Sequence, residues 1–268
     1  MRVVLSIGGS DSGGGAGIQA DLKTMSALGV YGATVITAVT VQDTSGVHEV
    51  HALAPELVRA QIETAANDYT LAATKIGMLA NASIIGAVAS ALAQGSHGKV
   101  VLDPVCASTS GELLLDPDAL ELLRVELLPH VDVLTPNLPE AALILGRENL
   151  GQSDAELAEA AREILGMGCG AVLLKGGHRE GDPDDVFVDA DGVVILEGER
   201  IPDVSVHGTG CTMASAVASF LARGRGEREA VAGAKEFVRR GIEERVGLGR
   251  GQANLHWFWE YYGKEGLP

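Results

Sequence analysis

Cysteine is scarce in this 268-residue chain: Cys106, Cys169 and Cys211 are the only three, an odd number, far apart and without a C-x-x-C pair. A disulfide scaffold and a structural zinc site are therefore not expected. Positive charge is also in short supply, with 20 Lys and Arg against 36 Asp and Glu, a formal net charge of −16 with histidine neutral. Nucleic acid and anionic membrane surfaces are bound through lysine and arginine patches, so neither is an expected partner. No apolar run approaches the ~18 residues of a membrane span. The apolar pattern after Met1-Arg2 lasts only five residues before Gly8-Gly9, short of a secretory h-region. A cytosolic protein is the expectation. An anionic ligand would have to be met locally, by a helix N-terminus, one placed lysine or a divalent cation.

Aromatics make up 4% of the chain, but apolar residues reach 46% and charged ones 21%, which suits a folded protein with a sizeable core. Short β-branched runs read as strands at Arg2–Ile7, Thr34–Val41, Thr74–Leu79, Val100–Pro104, Val131–Thr135 and Ala171–Lys175. Segments of helical period lie near Gln19–Leu28, Pro55–Asn67, Ser83–Gln94, Asp118–Leu127, Leu138–Leu145 and Ser153–Met167. This alternation predicts an α/β fold with a mostly parallel central sheet and helices on both faces. A hairpin is expected where Val186–Asp189 and Val193–Glu197 flank Ala190-Asp191-Gly192. Helices near Thr209–Arg223, Glu227–Val246 and Leu255–Tyr262 complete one domain over residues 1–268, with no linker and no internal repeat.

Ligands of open α/β sheets sit beyond the carboxyl ends of the strands. In this chain those ends carry Gly8-Gly9-Ser10-Asp11, Gln42-Asp43, Asp103-Pro104, Asn137 with Glu140, and Lys175-Gly176-Gly177. The stretch Gly8 to Gly17 holds six glycines, which suits close approach of backbone to a ligand but also a plain flexible turn. Gly15-x-Gly17-x-x-Ala20 fits the dinucleotide pattern, yet Gly15 stands eight residues beyond Ile7, too far from the strand. No G-x-x-x-x-G-K-[ST] occurs, which excludes a P-loop. Asp21 falls inside the apolar stripe Ile18, Leu22, Met25, Leu28, either complementing the helix N-terminus or acting as a polar ligand group over the strand ends.

His207-Gly208-Thr209-Gly210-Cys211-Thr212 opens a helix that is apolar or small all round, so its N–H groups point into the interior or a cleft, where an anion would satisfy them. Cys211 lies in its first turn, where the dipole favours thiolate; Cys106 and Cys169 read as buried packing residues. Lys175 ends an apolar strand, as a solvated edge or as a point charge for phosphate. Asp103, Asn137 and Glu140 are hard oxygen donors of the kind magnesium takes, and equally ordinary caps or turn formers.

Together these segments resemble the ribokinase-like superfamily and, within it, the hydroxymethylpyrimidine/phosphomethylpyrimidine kinases of thiamine biosynthesis. The carriers are Ser6 to Thr24, Thr37 to Thr44, Lys75-Ile76-Gly77-Met78-Leu79, Asp103-Pro104-Val105, Leu134 to Ala141, Leu174 to His178 and His207 to Thr212, in the family's order. The resemblance implies a ribokinase-like fold, ATP and Mg²⁺ as cofactors, and phosphorylation of 4-amino-5-hydroxymethyl-2-methylpyrimidine and of its monophosphate. It implies Asp103, Asn137 and Glu140 at the metal, Gly208, Thr209, Gly210 and Cys211 as the anion hole with Cys211 where most of the superfamily has an aspartate base, and Lys175 with Thr209 at the ATP phosphates. Gly9, Asp21 and Gln42 match the pyrimidine pocket, where a glutamine amide can meet a ring nitrogen and its neighbouring amino group at two points. A homodimer is implied by analogy. Pyridoxal kinase, of the same fold, is the alternative, and a silent vitamer-binding protein a third reading. Cys106, where methionine is more usual, and Ser205-Val206 depart from the pattern.

Overall fold

Period-two alternation in the strands and a 3.6 period between them are realised as a nine-stranded sheet in the computed structural model of the chain, which describes residues 1–106, 117–202 and 205–263. In chain order the elements are β1 (Val3–Asp11), α1 (Gly17–Ala27), β2 (Tyr31–Asp43), β3 (Gly46–Ala52), α2 (Pro55–Asp68), β4 (Leu71–Ile76), α3 (Ala82–Gln94), β5 (Lys99–Leu102), α4 (Pro117–Leu122), β6 (Val133–Leu134), α5 (Leu138–Ile144), α6 (Asp154–Leu165), β7 (Ala171–Leu174), β8 (Asp185–Asp189), β9 (Gly192–Leu196), β10 (Val206–His207), α7 (Thr209–Ala222), α8 (Glu227–Glu243) and β11 (Ala253–Asn254). The sheet order is β3-β2-β1-β4-β5-β6-β7-β8-β9. From β2 to β7 every pair is parallel, while β3, β8 and β9 join by antiparallel pairing. No described helix is long and apolar enough to cross a membrane.

Successive strand residues face opposite sides, and two cores result. Leu5, Ile7, Ile76, Leu102, Leu134 and Leu174 pack with Ile62, Val88 and Ile164 of α2, α3 and α6. Val4, Ala73, Val101, Val133 and Leu173 pack with Met25, Val217 and Val231 of α1, α7 and α8. Helix α7 is buried continuously from Thr212 to Ala222, as its small and apolar composition predicts.

The expected hairpin is β8–β9. The strand expected at Thr74–Leu79 lies three residues earlier as β4, the short pair β10–β11 was not expected, and three further elements differ. Strand β3 goes unannounced because its His48, Glu49 and His51 are exposed and it has no buried face to impose an apolar alternation. The helix expected at Asp118–Leu127 leaves α-helical geometry after Leu122 and continues as one π turn, Leu123–Leu127. Residues Leu255–Tyr262 form turns rather than a helix. There Trp257 Nε1 donates to Thr212 Oγ1 at 3.0 Å and Trp259 packs on Phe237, while Tyr261 and Tyr262 stay exposed, so no single helical face is buried.

Strand β1 is followed by β2 on one side, whereas β4 lies on the other. The strand order therefore reverses at β1/β4, the place where such sheets open a crevice at their carboxyl ends.

Candidate active site

Beyond β1 the glycine-rich loop is organised by its one carboxylate. Asp11, 3% exposed, accepts hydrogen bonds from the N–H groups of Gly13 (2.7 Å), Gly15 (2.9 Å) and Ala16 (2.7 Å). Burial opposes its charge, but His207 and these backbone donors outweigh burial and hold the carboxyl below the usual range. The loop is thus a built feature rather than a flexible turn. Gly17 opens α1 at φ +55°, where a Cβ would lie 2.3 Å from the Gly9 carbonyl oxygen. Only glycine lets the chain pass there.

Asp21 lies on the buried stripe of α1, as read, but not in the role expected of it. It is fully buried and lies behind the cavity wall, so it is neither a helix cap nor a group facing a ligand. Its carboxylate accepts from Ser6 Oγ (2.6 Å), from Ser215 Oγ (2.6 Å) and from Lys75 Nζ at 2.9 Å to each oxygen. A buried carboxylate needs such partners. Lys75 does line the cavity, although only 1% exposed. Burial pulls its pKa down, but Asp21, Cys211 and Asp103 together raise it, so the ammonium stays charged. Sequence reasoning passed over Lys75. Its signal was a lysine inside the otherwise uncharged strand run Leu71–Ile76, where a lone cation is costly without a partner.

The cavity at the β1/β4 crevice has a volume of about 410 Å³, in the range of small-molecule sites. Its lining includes Gly9, Gln42 and Met78, the segment Gly208 to Cys211, and Asp103, Asn137, Glu140 and Lys175. Gly208, at φ +82°, caps α7 without a side-chain hydrogen bond. A Cβ there would fall 1.8 Å from the Gly15 carbonyl oxygen, so the two glycine segments touch. With no side chain capping α7, its first N–H groups are free for an anion in the cavity.

That helix start lies over an ion pair. Lys175 Nζ sits 2.7 Å from Asp103 Oδ1, and a Cβ on Gly210 would lie 3.4 Å from the same Nζ. For Lys175, burial again opposes the charge, and Asp103 with Glu140 reverses it and raises the pKa. Asn137 and Glu140 form a capping box on α5, each backbone N–H donating to the other's side-chain oxygen at 2.8 Å. Burial pushes the Glu140 carboxyl up to about 7, with Asp103 adding to the rise while Lys175 resists it.

Among the described residues no three His, Cys, Asp or Glu stand close enough to hold a metal by themselves. Asp103, Asn137 and Glu140 are therefore not a protein cage, and the amide oxygen of Asn137 is already engaged. Two buried carboxylates beside an anion-binding helix start do fit magnesium, which takes one or two carboxylates and completes its shell with water and phosphates. The thiolate expected at Cys211 is corrected as well. Burial pushes this thiol up to about 11; Lys75 draws it down, but Asp21 and Asp103 add to the rise. Cys106 and Cys169 are buried, as expected.

A family profile described as phosphomethylpyrimidine kinase matches residues 11–256. The chain belongs to that family. The hydroxymethylpyrimidine/phosphomethylpyrimidine kinase of Rhizobium meliloti is 47% identical over 97% of this chain and 98% of its own length. The crystal structure of phosphomethylpyrimidine kinase from Clostridium difficile superposes with a TM-score of 0.81 at 40% identity, covering 90% of this chain and all of that one. Pyridoxal kinase from Staphylococcus aureus, in complex with AMP-PCP and pyridoxal, superposes at 0.88 with 31% identity, over 97% of this chain and 95% of that one. The fold is ribokinase-like. As a phosphomethylpyrimidine kinase family member the chain is a kinase.

Proposed function

We propose that the chain transfers the γ-phosphoryl group of ATP first to the hydroxymethyl oxygen of 4-amino-5-hydroxymethyl-2-methylpyrimidine and then to the phosphate of the monophosphate formed, in thiamine biosynthesis. The observation that carries this reading is one cavity lined both by a primary amide, Gln42, and by an uncapped helix start over the Lys175–Asp103 pair. The amide offers a donor and an acceptor to an aminopyrimidine edge; the helix start and the lysine offer charge to phosphates.

Phosphoryl transfer asks mainly for positioning and charge stabilisation. In the first step the substrate oxygen forms a bond to the γ-phosphorus while the β–γ bridging bond breaks, leaving ADP. The N–H groups of Gly208, Thr209, Gly210 and Cys211 hold the oxygens of the transferred group. Lys175 balances charge on the phosphate side. The alcohol proton passes to the Cys211 sulfur in the small fraction of molecules where it is ionised, the thiolate becoming a thiol as the new bond forms. Magnesium, held by Glu140 and Asp103, would neutralise phosphate charge.

Pyridoxal is the second substrate considered, because the Staphylococcus aureus pyridoxal kinase matches the chain over nearly its whole length. Purified protein incubated with Mg-ATP and each of the pyrimidine alcohol, its monophosphate and pyridoxal, with ADP formation followed, tests both. ADP released with pyridoxal and not with either pyrimidine would overturn the first reading.

A further inference from the structure

The amide of Gln42 sits between two polar neighbours whose hydrogens can be counted. On one side is His207 Nε2, 2.6 Å from the amide nitrogen; on the other is Thr40 Oγ1, 3.2 Å from the amide oxygen. Thr40 has one hydroxyl hydrogen, and that hydroxyl also lies 3.0 Å from the Ser10 carbonyl oxygen. With the amide oxygen toward Thr40, one hydrogen faces two acceptors and one of them is left unmatched. With the amide turned by 180°, the Gln42 nitrogen donates to Thr40, Thr40 donates to Ser10, and the Gln42 oxygen accepts from a protonated Nε2 of His207. Every group is then satisfied. The two ends of an amide are told apart by this kind of accounting.

We propose that His207 is a specificity-determining positioning residue: its Nε2–H fixes which end of the Gln42 amide points toward the anion-binding loop. This rests on the reading that Gln42 meets an aminopyrimidine. After bonding His207 and Thr40, the amide keeps one acceptor site and one donor site for a ligand, and their order along the cavity wall depends on its orientation. A 4-aminopyrimidine presents a donor next to an acceptor and matches one order only. A pyridine alcohol without that pair is indifferent to it. His207 immediately precedes Gly208, so the segment that receives phosphate also sets the register of substrate recognition. The ring is held in place by β10–β11 pairing with Asn254 and by Asp11, whose Oδ2 lies 3.8 Å from the same Nε2.

The test has two arms. Nitrogen-15 NMR of the histidine rings in the full chain, with His207 assigned through His207→Phe, is expected to show hydrogen on Nε2; a bare Nε2 with hydrogen on Nδ1 overturns the proposal whatever the substrate is. In the kinetic arm, His207→Phe raises KM for the pyrimidine alcohol roughly ten- to a hundredfold, with KM for ATP within about twofold. Gln42→Met does the same, and the double variant is no worse than the worse single one, because His207 acts through Gln42. Additive losses, or an equal rise in KM for ATP, would show that His207 merely supports the fold and would sink the idea. Failure of the wild-type protein to use the pyrimidine alcohol defeats the functional reading instead, and the NMR arm still decides the orientation.

Discussion

At Cys211 two effects oppose each other: the start of α7 favours an anion, whereas burial pushes the thiol up to about 11. Desolvation wins. If the minor thiolate is the base, the turnover rate should rise about tenfold per pH unit between 7 and 9. Cys211→Ala should lower kcat by about 10²–10⁴ if the sulfur takes the alcohol proton, with KM for ATP little changed because the backbone donors remain. A full-rate alanine variant that only melts earlier would make Cys211 a packing residue. Glu140 gives a prediction of opposite character. Its carboxyl is raised to about 7 in the folded protein, so the folded state binds the proton more tightly than the unfolded one, and stability falls as pH rises from the ordinary carboxylate range through 7. Glu140→Gln removes that cost and keeps an oxygen for the Asn137 N–H. The variant should melt higher than wild type at pH 8, match it near pH 4, and need more Mg²⁺ for half-maximal rate. An unchanged magnesium titration would leave Glu140 as a cap alone.

The glycine loop between β1 and α1 depends on Asp11 as an element, not on glycine content. Three N–H donors converge on one carboxylate, and bonds to a charged acceptor contribute about 1.5–3 kcal/mol each when partly buried. Asp11→Ala should speed amide exchange at Gly13, Gly15 and Ala16 by orders of magnitude while α8 amides keep their protection, and raise KM for the alcohol. Uniform protection across the loop would show that glycine geometry alone suffices. Elements with a buried face were legible from periodicity: β1, β4, β7 and α7 alternate or repeat because one side must leave water. Strand β3 and the turns at Leu255–Tyr262 were not legible, since the first buries no face and the second buries Trp257 but leaves Tyr261 and Tyr262 exposed. At the site, Lys175, Gln42 and the Gly208–Cys211 start lie on the cavity as read. Asp21, matched to the pocket, is buried behind Lys75, which lines the cavity in its stead, because periodicity told which face is buried but not which of two residues on neighbouring elements reaches the opening.

At the scale of the molecule, the Asp21–Lys75 pair ties α1 to β4 across the strand-order reversal, and Ser6 of β1 and Ser215 of α7 complete its hydrogen bonds. Both halves of the crevice therefore share one buried charge pair. Breaking such a pair from one side typically costs 3–5 kcal/mol, because the remaining ion stays buried, whereas neutralising both partners is far less harmful. Lys75→Met should accordingly lower the denaturant midpoint strongly. Adding Asp21→Asn, which keeps groups for both serine hydroxyls, should restore most of that loss. The rate should not return with it. Lys75 is on the cavity wall and its charge draws the Cys211 thiol down, so the double variant is expected to be folded but slow, with kcat reduced more than KM for ATP. Denaturant unfolding and steady-state kinetics on the same three proteins decide the matter: recovery of stability without kcat assigns Lys75 to the chemistry, and recovery of both would make the pair a structural clamp only.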